Sequence, residues 1–176
     1  MAILIIATST KAQYDAMQLG SRLHRKIQSS MSGEYKAEVS LKHTAYYEDV
    51  EIVLEGRADG IITSKTPRFQ SQINSKDLNY TIDEIKVIRQ DMEKLEAAAP
   101  VHIAQAVCYA YMYAMQKKSD DPSDASNEKM LIGIQITYCH PETEEIKRFF
   151  TSYTFDEIKS QFNDYIFEYG KWAQFL

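Results

Sequence analysis

The stretch from Tyr80 to Ile88, YTIDEIKVI, combines the apolar pattern of a β-strand with three charged residues at its centre. Side chains alternate between the two faces of a strand, so Glu84 and Lys86 should share one face while Asp83 and Ile85 share the other. Charge is scarce in apolar strands because burying it is costly. The strand therefore presents a carboxylate beside an ammonium, which predicts either a chemical site or an exposed cross-strand ion pair.

A second acidic residue stands on the strand before it. Residues 50–62 read VEIVLEGRADGII, with Asp59 next to Gly60. Glycine inside a strand indicates the close approach of another part of the chain. If the two strands pair, Asp59 would lie across from Glu84, and the two carboxylates would share a divalent cation. A lysine beside such a cation suits phosphodiester hydrolysis, because it can orient or deprotonate the attacking water.

The apolar spacing around these strands predicts an α/β fold in which a mixed sheet is flanked by helices. The predicted order is helix, three strands, helix, two strands, helix. Helices are predicted at residues 11–32, 98–117 and 155–176, and the further strands at residues 37–47, 50–62, 131–139 and 145–155. Polar, turn-rich stretches predict loops at residues 64–79 and 119–128, and a hairpin turn at residues 140–143.

The composition is that of one globular domain over residues 1–176, with 44% hydrophobic and 26% charged residues. The net charge of -5 excludes a broadly basic surface, so a nucleic acid would have to be held by a local patch. Cys108 and Cys139 are too few for a disulfide scaffold or a zinc knuckle, and they favour a cytoplasmic setting. The apolar run at the N-terminus is far shorter than the ~18 residues of a membrane span, so no membrane association is expected.

Four motifs in chain order resemble those of the PD-(D/E)XK nuclease superfamily, in its RecB-like exonuclease branch. They are Gly20-Ser21-Arg22-Leu23-His24, Gly56-Arg57-Ala58-Asp59, Glu84-Ile85-Lys86 and Gln105-Ala106-Val107-Cys108-Tyr109. The segments EGRADGI, TIDEIK and HIAQAVCYAYMYA also resemble the nuclease-like N-terminal region of bacterial DinG-type DNA helicases. The P-loop pattern G-x-x-x-x-G-K-[ST] does not occur in the sequence, so this chain alone is not a helicase motor.

The resemblance implies a restriction-endonuclease-like core that hydrolyses DNA with Mg²⁺ or Mn²⁺. It implies that the metal is bound by His24, Asp59, Glu84 and the backbone carbonyl of Ile85. It also implies five catalytic residues: Asp59, Glu84, Lys86, Gln105 and Tyr109. In this scheme Lys86 positions the water, and Gln105 and Tyr109 lie near the metal and the DNA backbone. The implied partners are DNA, as single strands or at ends, and a helicase domain or subunit. Iron–sulfur members of this branch carry four cysteines, so no cluster is expected here.

Each of these residues also has a simpler interpretation. A lone helical histidine such as His24 is more often half-buried than a ligand. Gln105 and Tyr109, one turn apart, could simply bond to each other, and His102 faces the same way and could join either arrangement. Basic side chains near the motifs either grip phosphates or are solvated surface charges; they are Arg22, Arg25, Lys26 and Arg89.

These interpretations lead to three hypotheses for the function. The first is a metal-dependent DNA nuclease, an exonuclease acting in DNA repair or recombination. The second is a non-catalytic DNA-binding or docking module associated with a DNA helicase. In the third, the motifs arise by chance and the chain is a protein-interaction domain.

Overall fold

The computed structural model describes residues 11–31, 34–63, 78–120 and 130–174. The predicted element order is confirmed, and so is the α/β fold class. The elements are α1 (Lys11–Ser29), β1 (Tyr35–Tyr47), β2 (Val50–Ile62), β3 (Leu78–Val87), α2 (Pro100–Asp120), β4 (Leu131–Cys139), β5 (Ile146–Thr154) and α3 (Phe155–Ala173).

The predicted bounds differ from the observed ones by a few residues at element ends. Helix α1 ends at Ser29 rather than at residue 32, and α2 begins at Pro100, because proline suits the first turn of a helix, where its missing N–H is not needed. Strand β3 begins at Leu78, within the predicted loop. The rest of that loop, most of the loop after α2 and the N-terminal apolar run lie outside the described residues.

The five strands form one mixed sheet in the order β1-β2-β3-β4-β5. Strands β3 and β4 run parallel, and the other neighbours are antiparallel. A parallel pair requires a crossover, and α2 is part of the connection between the two strands. Strands β4 and β5 form the predicted hairpin, in whose turn the Glu144 amide donates to the carbonyl of His140.

The main hydrophobic core lies between the sheet and α2 and α3. The central strands contribute fully buried side chains such as Tyr80, Ile82 and Ile134. Helix α3 buries one stripe at helical spacing: Phe155, Ile158, Phe162 and Ile166. It follows β5 without a loop, because Thr154 caps its first turn in a reciprocal pair of hydrogen bonds with Glu157.

Helix α1 packs against β3 in a smaller, separate cluster. Leu23 and Ile27 are buried against Ile85 and Cys139. This contact fixes the helix beside the predicted charged residues of β3. None of the described helices is both long enough and apolar enough to cross a membrane.

Candidate active site

Strands β2 and β3 separate next to the predicted residues. In the described part of the two strands, their ladder has three residue pairs and ends at Gly60–Asp83, whereas β1 and β2 pair along nearly their whole length. Asp59 and Glu84 come directly after the last pair, one on each strand. The predicted pairing of the two strands is therefore confirmed, and the two acidic residues lie where the sheet forks. We call this region the fork.

A local break in β2 turns Asp59 into the fork. Ala58 and Ile61 both belong to the main core although they are three residues apart, so the alternation of side chains fails between them. On the neighbouring strand, Glu38 has a φ of 55°, an uncommon conformation for a residue other than glycine. Gln28 of α1 donates to the Glu38 side chain at 2.8 Å and to the Asp59 carbonyl at 2.9 Å. The break thus links β1, β2 and α1 around Asp59.

The Asp59 carboxylate connects α1 with β3. One oxygen lies 3.2 Å from Nδ1 of His24, and the other accepts the backbone N–H of Ile85 at 2.8 Å. This hydrogen bond to Asp59 raises the pKa of His24 above its ordinary value, although burial acts in the opposite direction. The contact therefore favours an imidazolium beside a carboxylate. His24, Asp59 and Ile85 thus meet through this one side chain, although Ile85 takes part with its N–H and not with the carbonyl that is the predicted ligand.

Glu84 is the most deeply buried of the predicted site residues that act through side chains. Its side chain is 2% exposed; Oε1 lies 2.6 Å from Nζ of Lys86, and Oε2 is buried without a hydrogen-bond partner. Burial raises the pKa of Glu84 to about 7, and the nearby Asp59 carboxylate adds to the effect. The two side chains do share one face of β3, as the alternation predicts. The alternative of an exposed ion pair is wrong, because the carboxylate is inside the protein.

Helix α2 supplies the predicted glutamine and tyrosine from one side of the fork. Lys86 donates to Oε1 of Gln105 at 3.0 Å, and the amide nitrogen of Gln105 donates to the Tyr109 hydroxyl at 3.3 Å. The Tyr109 ring lies directly on β2 at Gly56, where an added Cβ would be 2.6 Å from Cε1 of the ring. A larger residue at this position would have to displace the Tyr109 ring. All four sequence motifs therefore converge on the fork.

The described residues contain no ready cage of three or more His, Cys, Asp or Glu side chains for a metal ion. His24 contacts Asp59, and Glu84 contacts Lys86. Two observations nevertheless fit a divalent cation: the unpartnered, buried Oε2 of Glu84, and a second carboxylate close enough to raise the pKa of Glu84. Carboxylate and carbonyl oxygens suit Mg²⁺ and Mn²⁺, whereas imidazole is more typical of softer transition metals. A cation at the fork would compete with the two ion pairs.

Three of the four predicted phosphate-gripping residues form ion pairs outside the fork. Arg22 and Lys26 of α1 form ion pairs with Glu144 in the β4–β5 turn. Arg89 pairs with Glu142 of the same turn at 2.6 Å. These contacts hold the basic side chains at the surface rather than in the fork. For these three residues the structure supports solvated, paired charges.

A groove of about 630 Å³ lies between β1, β2 and the C-terminal half of α2. Its lining includes Ser40, His43, Gly56 and Gln116. Its charged side chains, Lys42 and Glu55, pair with each other at 2.5 Å. The groove also contains a histidine, His43, whose pKa is lowered by burial. The raised pKa and the unpartnered oxygen of the buried Glu84 carboxylate lie in the fork, so we assign the chemistry to the fork rather than to the groove.

Sequence reasoning missed a tyrosine that extends the row of polar side chains. Tyr138 of β4 is directly opposite Lys86 in the β3–β4 register and is 1% exposed. Its hydroxyl lies 2.8 Å from Nδ1 of His102 and accepts the Ala99 amide at 2.9 Å. His102 therefore joins the same side of α2 as Gln105. No motif signals Tyr138, because its position follows only from the parallel register.

A second buried carboxylate lies on the other face of β3. Asp83 is 0% exposed and accepts hydrogen bonds from Tyr35 at 3.0 Å, Gln135 at 3.0 Å and Thr137 at 2.6 Å. Burial raises the pKa of Asp83, and these donors act in the opposite direction. Its hydrogen-bonding capacity is largely used, so it joins β1, β3 and β4 rather than offering a free ligand.

A similarity to a solved structure concerns the fold. The structure titled "Crystal structure of SSO0001" superposes with a TM-score of 0.51 at 18% sequence identity, over 86% of this chain and 59% of the other. At this identity the similarity shows a shared α/β fold and no more, and the chain spans 59% of that protein's length. No protein-family model matches the sequence, and no curated protein is significantly similar to it.

Proposed function

We propose that this protein is a metal-dependent DNA nuclease of the RecB-like branch of the PD-(D/E)XK superfamily. It would hydrolyse phosphodiester bonds as an exonuclease in DNA repair or recombination, on single strands or ends. The proposal rests on the surroundings of Glu84. Its carboxylate is 2% exposed and has one oxygen without a hydrogen-bond partner, and Asp59 and Lys86 lie beside it. Burying an ionised carboxylate destabilises a fold, and such costly buried groups are common in catalytic sites.

The residues of the fork divide the work as follows. His24, Asp59, Glu84 and the Ile85 carbonyl would hold Mg²⁺ or Mn²⁺, and the ion would polarise the phosphate and lower the pKa of a bound water. Lys86 is held by Glu84 and Gln105. Its ammonium would orient the attacking water and offset charge that develops on the phosphate. Tyr109, held by Gln105, would contact the DNA backbone.

The proposal includes partners and a location. A helicase domain or subunit would deliver the DNA strand, and the setting would be the cytoplasm, where free thiols persist. The two cysteines, Cys108 and Cys139, are both free.

A non-catalytic docking module is the second candidate. The net charge of -5 favours it, and so does the pairing of Arg22, Lys26 and Arg89 with an acidic turn, which leaves less positive charge for phosphates. A module without catalysis, however, gains nothing from a buried carboxylate and a lysine at the fork. For this reason we rank the nuclease first.

Cleavage of labelled single-stranded DNA with Mg²⁺ or Mn²⁺, together with manganese titration, tests the proposal. Lys86→Ala should lower the cleavage rate by about 10²-fold or more and leave Mn²⁺ affinity within a few-fold of wild type, because the lysine acts mainly in the transition state. Asp59→Ala should lose both cleavage and Mn²⁺ binding. Lys42→Ala, which removes an exposed strand lysine paired with Glu55, is the matched control and should change neither.

Two results would contradict the proposal. Wild-type protein that binds DNA and cuts nothing with either metal, even when joined to a helicase partner, would establish the docking module. Lys86→Ala protein that cuts as fast as wild type would show that the chemistry lies elsewhere.

A further inference from the structure

We propose that His102 is a further substrate-binding residue of the fork, whose Nε2–H donates a hydrogen bond to a backbone phosphate of the nucleic acid strand beside Lys86. This inference rests on the proposed function insofar as the fork binds nucleic acid. It does not require that the strand be cleaved. It assigns a role to a histidine that the four motifs leave unused.

The position of His102 next to Lys86 follows from two independent contacts. Along α2, His102 lies one turn before Gln105, and Gln105 accepts a hydrogen bond from Lys86 at 3.0 Å. Across the sheet, Lys86 is in register with Tyr138, and Tyr138 contacts Nδ1 of His102 at 2.8 Å. His102 therefore flanks the lysine from the side of β4, while Glu84 flanks it along β3.

The neighbours of His102 favour one tautomer of its ring. The Ala99 amide can only donate, and it donates to the Tyr138 oxygen at 2.9 Å. The Tyr138 oxygen has a second lone pair, but among the described residues Nδ1 of His102 is the acceptor within reach of the Tyr138 hydroxyl proton. We therefore assign that proton to Nδ1 and the ring proton of His102 to Nε2. Among the described residues, nothing accepts a hydrogen bond from this nitrogen. Burial, and to a smaller extent the Lys86 ammonium, lower the pKa of His102, so the ring is a neutral donor at pH 7.

A neutral donor beside an ammonium suits a phosphodiester better than a second cation would. An imidazolium next to Lys86 would add repulsion between like charges, whereas the neutral ring does not. A hydrogen bond from Nε2 adds binding energy and direction without that repulsion. His102 would thus strengthen binding of the strand, and the chemical step would remain with Lys86 and the carboxylates.

The test uses the full chain and a fluorescein-labelled single strand of deoxythymidylate. Binding is measured by anisotropy in EDTA, where no divalent cation supports cleavage, and KM and kcat are measured separately with Mn²⁺. His102→Phe keeps the ring size and removes the donor, and it should weaken binding and raise KM by about tenfold while kcat stays within about twofold. His102→Gln can place an amide donor where Nε2 was, and it should recover most of the binding.

His43→Phe is the matched control. His43 is also a half-buried histidine whose pKa burial lowers, but it packs edge-on against Tyr111 and Phe162, away from the fork. This variant should leave binding and KM unchanged. Melting temperatures of all variants identify any loss that comes from unfolding, and His102→Asn, which is polar but too short to reach, should lose binding as His102→Phe does.

The outcomes separate this inference from the proposed function. Equal binding by His102→Phe and wild type overturns the inference, whether or not the protein cuts DNA. A ring proton found on Nδ1 by ¹⁵N chemical shifts also overturns it. If wild type binds but does not cut, the nuclease proposal fails and the loss of binding in His102→Phe still supports the inference. If wild type neither binds nor cuts, both are overturned.

Discussion

Ionisation of Glu84 works against the fold, because its carboxylate is buried and one oxygen is unpartnered. The pKa of Glu84 is raised from 4.5 to about 7 in the folded protein. A group that holds its proton more tightly when folded stabilises the fold fully below its unfolded pKa, and this stabilisation is lost as the pH rises through the folded value. The relevant window therefore runs from about pH 4.5 to about pH 7.

Glu84→Gln should remove this pH dependence in metal-free protein. The shift corresponds to ~3 kcal/mol of unfolding free energy lost by wild type across the window, so at pH 8 the variant should be the more stable protein, with a melting temperature several degrees higher. Thermal melts in EDTA between pH 4 and pH 8 measure the difference. If the melting temperatures of the two proteins depend on pH in the same way, ionisation of Glu84 does not destabilise the fold.

Gly56 and Gly20 make a matched pair of glycine substitutions within the sequence motifs. A Cβ at Gly56 would lie 2.6 Å from Cε1 and 2.9 Å from the hydroxyl of Tyr109, whereas a Cβ at Gly20 meets nothing within 4 Å. Gly56→Ala should displace the tyrosine, lower the unfolding free energy by about 1–3 kcal/mol and reduce cleavage. Gly20→Ala should instead stabilise α1 by up to ~1 kcal/mol, because alanine favours a helix. Denaturant titration compares them, and equal effects would argue against the Tyr109 contact.

At the scale of residues, the sequence predicts on which face of a strand each side chain lies. Glu84 and Lys86 share a face because alternation in a strand is fixed at two residues. The position of Asp59 could not be predicted in the same way, since it depends on a break in β2 that no single residue type announces. Gln28 and Tyr138 were missed for a related reason: each reaches the fork from an element distant in sequence.

At the scale of elements, apolar packing of α1 against β3 helps to hold His24 at the fork. Ile27, which is 3% exposed, is buried against β3 one turn after His24, and Met17 of the same helix is 58% exposed. Ile27→Ala should lower the unfolding free energy by about 2–4 kcal/mol. It should also weaken Mn²⁺ binding, although Ile27 is not one of the proposed metal ligands. Met17→Ala should change neither. Unchanged Mn²⁺ affinity in folded Ile27→Ala protein would remove His24 from the ligand set.

The elements themselves were predictable because their apolar periods are strong and their caps are local. Helix α3 shows this, with its buried stripe and the Thr154–Glu157 capping box both encoded within a few residues. Element ends were less predictable. Leu78 joins β3 although turn formers surround it, because its side chain is 1% exposed and packs where the sequence alone shows only a loop.

At the scale of the whole molecule, the sheet consists of two parts with a short connection. The β1–β2 hairpin and the β3–β4–β5 unit are each held by long ladders, and three residue pairs join them within the described strands. The order of the elements and the mixed sheet were predictable from the alternation of strand and helix patterns. The short connection was not, because the number of pairs between two strands depends on how far they diverge in space.

We therefore expect the fork to be the most easily deformed part of the described sheet, because the β2–β3 ladder has the fewest residue pairs. Asp59 belongs to the hairpin and Glu84 to the larger unit, so a change in the angle between the two units changes the separation of the two carboxylates. Among the described strands, the β2–β3 ladder offers the fewest hydrogen bonds to resist such a change. A cation bound by both side chains would link the two units of the sheet. The affinity for the ion would then depend on how easily the angle between the units changes, as well as on the chemistry of the ligands.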